Sequence, residues 1–173
     1  YEPRAVTTQR ILGLDPGLQH TGWGVVDVAG TRLSFVACGV ISAPTKQPMA
    51  LRLEHIFTHL QALIAEFNPT HAAVEEVFVN DNPRTSLALG QARGLCLLVP
   101  ALAQVPVAEL TSTAVKQALV GHGRAEKAQV AHMVKVLLPL AVLPARADAT
   151  DALAVAIAAA HHRVWVTEAV IHP

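Results

Sequence analysis

Four carboxylates stand where a neutral, apolar chain has little structural reason to place an acid: Asp15, Glu75, Asp148 and Asp151. Asp15 ends the run Ile11-Leu12-Gly13-Leu14 and is followed at once by Pro16-Gly17. Glu75 closes His71-Ala72-Ala73-Val74, and Asp148 and Asp151 open a segment, Ala152-Leu153-Ala154-Val155-Ala156-Ile157, that otherwise reads as a buried helix. Ionised acids are almost never fully buried unless they are paired or hold a metal. Acids at the ends of several core elements therefore suggest a shared metal site. An oxygen-only donor set favours Mg²⁺ or Mn²⁺, ions that serve phosphoryl chemistry.

Each acid also has a plainer explanation. Asp before Pro-Gly can bond the backbone of a turn. Asp148 and Asp151 lie three apart on one helix face, where the helix dipole favours acids in the first turn. The same dipole is expected to lower their pKa values and keep them ionised. Glu76 follows Glu75, and strand neighbours face opposite sides, so only one of the two can point at Asp15. Sequence pattern leaves open which. The conjunction favours a site, because the ends of these elements lie at one edge in a mixed sheet.

The elements that must position these acids are legible. Ile11 to Asp15, Gly22 to Val28 and Arg32 to Ile41 read as three closely spaced strands, hence an antiparallel meander. In the third, Leu33, Phe35 and Ala37 alternate against Arg32 and Ser34. Leu53, Ile56, Phe57, Leu60, Leu63, Ile64 and Phe67 then form one helical stripe that Asn68-Pro69 stops. A fourth strand is expected at 71–79. A helix from Arg84 to about Leu102 follows, with Asn82 as N-cap, Pro83 at its first position and Pro100 a candidate kink. Val105 to Leu110 is a fifth strand. A short helix capped by Thr111 or Thr113, a helix from Ala125 to Leu138 and a last helix over 148–163 complete the chain. The order predicts an α/β fold: a mixed sheet of three antiparallel then two parallel strands, with helices on both faces.

At 173 residues, 52% of them hydrophobic and 15% charged, the chain reads as one globular domain. Residues 1–10 read as a flexible extension, 11–163 as the domain and 164–173 as a tail. Net charge is zero, with 13 basic and 13 acidic residues. If four acids gather around metal ions, the rest of the surface carries a modest positive excess, which permits nucleic acid without demanding it. Cys38 and Cys96 sit in apolar stretches without metal-ligand spacing and read as reduced core residues of a cytoplasmic protein. No uninterrupted apolar run reaches the roughly 18 residues of a membrane span. His161-His162 reads as an exposed helix end, and no glycine-rich phosphate loop or nucleophile motif is present.

Six stretches carry a resemblance to a known family. Ile11-Leu12-Gly13-Leu14-Asp15-Pro16-Gly17 with Thr21-Gly22-Trp23-Gly24 resembles the opening of RuvC, the bacterial Holliday-junction resolvases. So do Val74-Glu75-Glu76-Val77-Phe78, Leu89-Gly90-Gln91-Ala92-Arg93-Gly94, Val115-Lys116-Gln117, Ala125-Glu126-Lys127 and Asp148-Ala149-Thr150-Asp151-Ala152-Leu153-Ala154. The resemblance implies an RNase H-like fold and a homodimer that nicks opposing strands of a four-way DNA junction in recombination and repair. It implies that Asp15, Glu75, Asp148 and Asp151 hold two Mg²⁺ per site, with Mn²⁺ able to substitute. It makes Lys116 and Lys127 phosphate contacts, Phe78 an aromatic at the crossover, and Arg84 and Arg93 further DNA contacts. The partner it implies is the RuvA–RuvB branch-migration complex, with no membrane. This chain differs from the family's pattern at Leu18 and at Asp81.

Two other functions share parts of the pattern. Actin-like ATPases and sugar kinases use an Asp-x-Gly loop on a related fold, but they need two such domains and a second glycine-rich loop. A non-catalytic nucleic-acid adaptor of the same fold has no need of all four acids.

Overall fold

The computed structural model describes residues 5–76 and 81–162. Three antiparallel strands, β1 (Thr8–Asp15), β2 (His20–Ala29) and β3 (Arg32–Ser42), lead into helix α1 (Met49–Phe67). Strand β4 (His71–Glu75), helix α2 (Pro83–Leu102) and strand β5 (Val107–Leu110) follow, then α3 (Ser112–Val120), α4 (Lys127–Leu137) and α5 (Ala147–His162). The sheet order is β3-β2-β1-β4-β5, with β1 antiparallel to β2 and parallel to β4. The mixed RNase H-like sheet expected from the sequence is the one present.

Strand periodicity divides the core. Ile11, Ala73, Ala108 and Leu110 face α3, α4 and α5, while Leu12, Leu14, Ala72 and Val74 face α1 and α2. The helical stripe on α1 behaves as its spacing predicts: Ile56 and Leu60 are fully buried, and Phe57, Leu63, Ile64 and Phe67 pack around them. Asn68 ends that helix in the left-handed region, φ 46°, and its N–H bonds the Ile64 carbonyl at 3.0 Å.

Three local features differ from the sequence reading. β1 begins at Thr8, inside the expected extension, because residues 8–10 pair with 27–29 of β2. Arg10 there grips Asp27 through two bonds of 2.8 and 2.9 Å and donates to the Phe67 carbonyl at 3.1 Å. Polar Thr8-Gln9-Arg10 carries no apolar alternation, so its strand character was invisible. Secondly, β3 contains a bulge opposite Val25 and Val26, which pair with Ala37 and Phe35. The extra residue, Val36, moves Ala37 to the α1/α2 face and breaks the alternation with Leu33 and Phe35. Thirdly, regular β4 structure stops at Glu75, and Phe78 lies outside the described residues.

Helix α5 is the centre of the fold. Its residues from Ala152 to Ala159 are essentially without exposure, and it lies across β1, β2 and β3. Glycines make this possible. A Cβ on Gly13 would stand 2.2 Å from the Ala152 oxygen, and one on Gly22 would stand 1.9 Å from the Asp148 oxygen. Both clashes are with backbone, so neither is relieved by a rotamer change. Gly13→Ala is expected to lower stability by about 1–3 kcal/mol or more, as overpacking does. Gly90→Ala, on an open stretch of α2 with nothing near its Cβ position, is expected to raise it by up to about 1 kcal/mol. Urea denaturation of the two variants beside the parent checks both signs.

Candidate active site

Two strands and one helix deliver the acids. Asp15 is the last residue of β1, and its alternation with Ile11 and Gly13 turns it toward α5. Glu75 is the last residue of β4; Leu14 pairs with Val74, so Glu75 stands beside Asp15 on the same face as Ala73. That register answers the question the sequence left open: Glu76 lies past the strand end, exposed, with its N–H on the Leu110 carbonyl at 2.8 Å. Asp148 and Asp151 come from the first two turns of α5 and are held at these strand ends by the glycine contacts.

The surrounding cations arrive by capped helices. Thr111 caps α3, accepting the Ala114 N–H at 3.0 Å, which starts the helix immediately after β5 and brings Lys116 to the site. Gln129 accepts the Glu126 N–H at 2.8 Å, the reciprocal bond of a capping box, and so fixes Lys127 at the first position of α4. A cavity of about 300 Å³ results, lined by Asp15, Glu75, Lys116, Lys127 and Asp151 with Ser112 and Val115. Ser112 escaped the sequence reading because a helix-start serine has an ordinary structural role.

Charge in this cavity is unbalanced. Asp15 is pushed up to about 8, first by burial, then by the negative charges of Glu75, Asp151 and Asp148. Glu75, hydrogen-bonded to Asp15, is also raised, mainly by burial, although Asp15, Lys127 and Lys116 oppose the rise. Asp151 was expected to sit low at a helix N-terminus. It is raised instead, because burial outweighs the bond it accepts from Lys127. Lys127 Nζ lies 3.0 Å from Asp151 Oδ2, and Arg146 Nε lies 2.9 Å from Asp148 Oδ2.

Carboxylates crowded this closely stay ionised together only if cations join them. The donor chemistry fits a hard divalent ion: oxygen atoms, partly buried, with an excess of negative charge. In the present rotamers no three acidic side chains among the described residues converge on a single point. Asp151 lines the cavity with Asp15 and Glu75 while paired with Lys127, and Asp148 is paired with Arg146; the two acids keep 22% and 23% of their side-chain surface exposed.

The other expected contacts lie elsewhere. Arg84 is exposed in the first turn of α2, which Asn82 caps through the N–H groups of Arg84 and Thr85. Arg93 faces β5, on the side of the sheet opposite the acids, and its guanidinium is paired with Glu109. That pair braces α2 against β5.

A sheet of this order, with acids collected at the ends of β1, β4 and α5, defines the RNase H-like class. The family model for crossover junction endodeoxyribonuclease RuvC matches residues 11–161. A RuvC of Xanthobacter autotrophicus is 58% identical over 154 residues, covering 89% of this chain and 90% of the relative. One from Paramagnetospirillum magneticum is 57% identical, over 89% and 92%. Among solved structures, Thermus thermophilus RuvC in complex with a Holliday junction substrate superposes with a TM-score of 0.84 at 34% identity, covering 90% of this chain and 94% of that one. A yeast mitochondrial Holliday junction resolvase shares the fold, with a TM-score of 0.65 at 11% identity. The chain belongs to the RuvC family.

The charge imbalance has a thermodynamic consequence. Asp15 titrates near 3.8 when unfolded and about 8 when folded. The folded state therefore binds the proton more tightly, and stability falls as pH rises from about 4 to about 8. Thermal melting in a chelating buffer is expected to show a lower Tm at pH 8 than at pH 5. Asp15→Asn, which holds no such charge, is expected to flatten that dependence and to raise the Tm at pH 8.

Proposed function

We propose that this protein resolves four-way DNA junctions by hydrolysing phosphodiesters in two opposing strands, with divalent metal held by Asp15, Glu75, Asp148 and Asp151. The observation that supports this best is the half-buried Asp15 carboxyl, hydrogen-bonded to Glu75 and set with Asp151 in a cavity that also carries Lys116 and Lys127. Family membership and the likeness to a RuvC solved with a Holliday junction supply the substrate class.

Mg²⁺, or Mn²⁺ in its place, would supply an activated water and stabilise charge on both the attacking and the leaving oxygen. Asp15, central among the acids, would be a ligand and would give up its proton to become one. Glu75, Asp148 and Asp151 would complete the ligand set. Lys116 and Lys127 would offset charge on the scissile phosphate. Phe78 would stack on an unpaired base at the crossover, worth about 1–3 kcal/mol, and Arg84 would meet the backbone from the start of α2.

A homodimer is the second part of this reading. A four-way junction has two-fold symmetry, which an isologous dimer matches by presenting two identical sites. Helix α2 supports it. Leu87, Leu98 and Leu102 are 67%, 47% and 63% exposed, an apolar row suited to a partner surface. The RuvA–RuvB complex is the family's expected supplier of migrating junctions.

A four-way junction and a linear duplex of the same sequence, incubated with and without Mg²⁺, test the activity. Paired nicks confined to the junction and abolished by EDTA are expected; nicking undiminished in EDTA refutes the mechanism. Glu75→Gln is expected to reduce the rate by orders of magnitude, whereas Glu76→Gln stays within a few-fold of the parent. Sedimentation of the chain free and on the junction is expected to give a dimer; a monomer in both removes the second part.

A further inference from the structure

Beside the acidic cavity lies a second groove that the proposed reaction leaves unused. It runs between α4 and the loop before α5, with a volume of about 370 Å³, and its lining includes Lys127, Lys135, Arg146, Leu143, Pro144 and Thr150. Lys127 and Asp151 line both cavities, so the two adjoin along a common wall. We propose that this groove is a backbone subsite in which Lys135 and Arg146 hold phosphates of the strand continuing from the cleaved bond. The inference rests on the nuclease reading above.

Charge and its accounting carry the argument. Three cations and one carboxylate line the groove. Lys135 is exposed near the end of α4. Arg146 and Lys127 are matched by Asp148 and Asp151, two of the acids assigned to metal in the proposed reaction. Metal held by those acids would compete with both cations for their carboxylates and leave the cations available to an arriving phosphodiester strand. The groove then presents three positive groups beside the site. Its remaining lining is alanine, leucine, proline and threonine, without an aromatic ring for a base to stack upon. Such a surface suits sugar and phosphate, not a base edge, and its contribution would be independent of sequence.

Salt dependence reads phosphate contacts directly, because each neutralised phosphate releases counterions. Junction binding is measured across a range of KCl with Ca²⁺ in place of Mg²⁺, for the parent and for Lys135→Ala, Arg146→Ala, Arg146→Lys and Arg32→Ala. Arg32 lies at the far end of β2 and β3 from the acids and serves as the reference for net charge. Lys135→Ala and Arg146→Ala are each expected to make the slope of log K against log salt shallower by about 0.7–0.9. Arg146→Lys is expected to restore the slope, and Arg32→Ala to leave it alone. Equal Tm values for parent and Lys135→Ala exclude a folding defect as the cause. A parent that cuts the junction while Lys135→Ala and Arg146→Ala keep its slope overturns the subsite alone. A parent that neither binds nor cuts the junction overturns the nuclease reading, and the subsite with it.

Discussion

The distance between helix α5 and the sheet is the constraint on which the other features depend. The backbone oxygens of Ala152 and Asp148 lie where a side chain on Gly13 or Gly22 would begin, so the helix rests on bare strand backbone. Only small residues can form such a contact, and α5 answers with Ala152, Ala154, Ala156, Ala158 and Ala159, all buried. Backbone packed this tightly has no room to slide or rotate by a fraction of a turn. Asp148 and Asp151 are thereby fixed at the ends of β1 and β4, although they come from the far end of the chain.

Electrostatics at the site oppose the stability that this packing provides. Burial and three neighbouring carboxylates hold a proton on Asp15 near neutral pH. Lysine and arginine reduce the repulsion without removing it. Lys127 and Arg146 each take one acid of α5, and Lys116 acts on Glu75 through space.

The opposite face of the sheet has a different task. Helices α1 and α2 cover β4 and β5 through Ile56, Leu60, Ala92, Cys96 and Val99, and the Arg93–Glu109 pair fastens α2 to the edge strand. Burial pushes the Cys96 thiol up to about 12, as befits an inert core residue with no part in the chemistry. What α2 leaves outward is leucine, in a row suited to a symmetric partner. The sheet therefore separates the acid cluster on one side from the α1 and α2 scaffold on the other.

Much of this was determined by the sequence alone. Element order, the five strands, the α1 stripe, the Asn82 cap and the four unusual acids are local or periodic features, and local rules read them. The features that escaped depend on what lies across space. Thr8-Gln9-Arg10 becomes strand only because β2 offers partners and Asp27 a counter-ion. The β3 bulge shows itself only against β2. Glu75 rather than Glu76 faces Asp15 because β4 pairs in register with β1 and then ends, which neither glutamate's neighbours reveal. The pairing of Arg93 with Glu109 depends on where α2 crosses β5, which no local pattern shows. Helix-end position alone predicted a low pKa for Asp151, whereas tertiary burial raised it. Lys135 and Arg146 carry no motif at all; only the packing of α4 against the loop before α5 brings them to one groove.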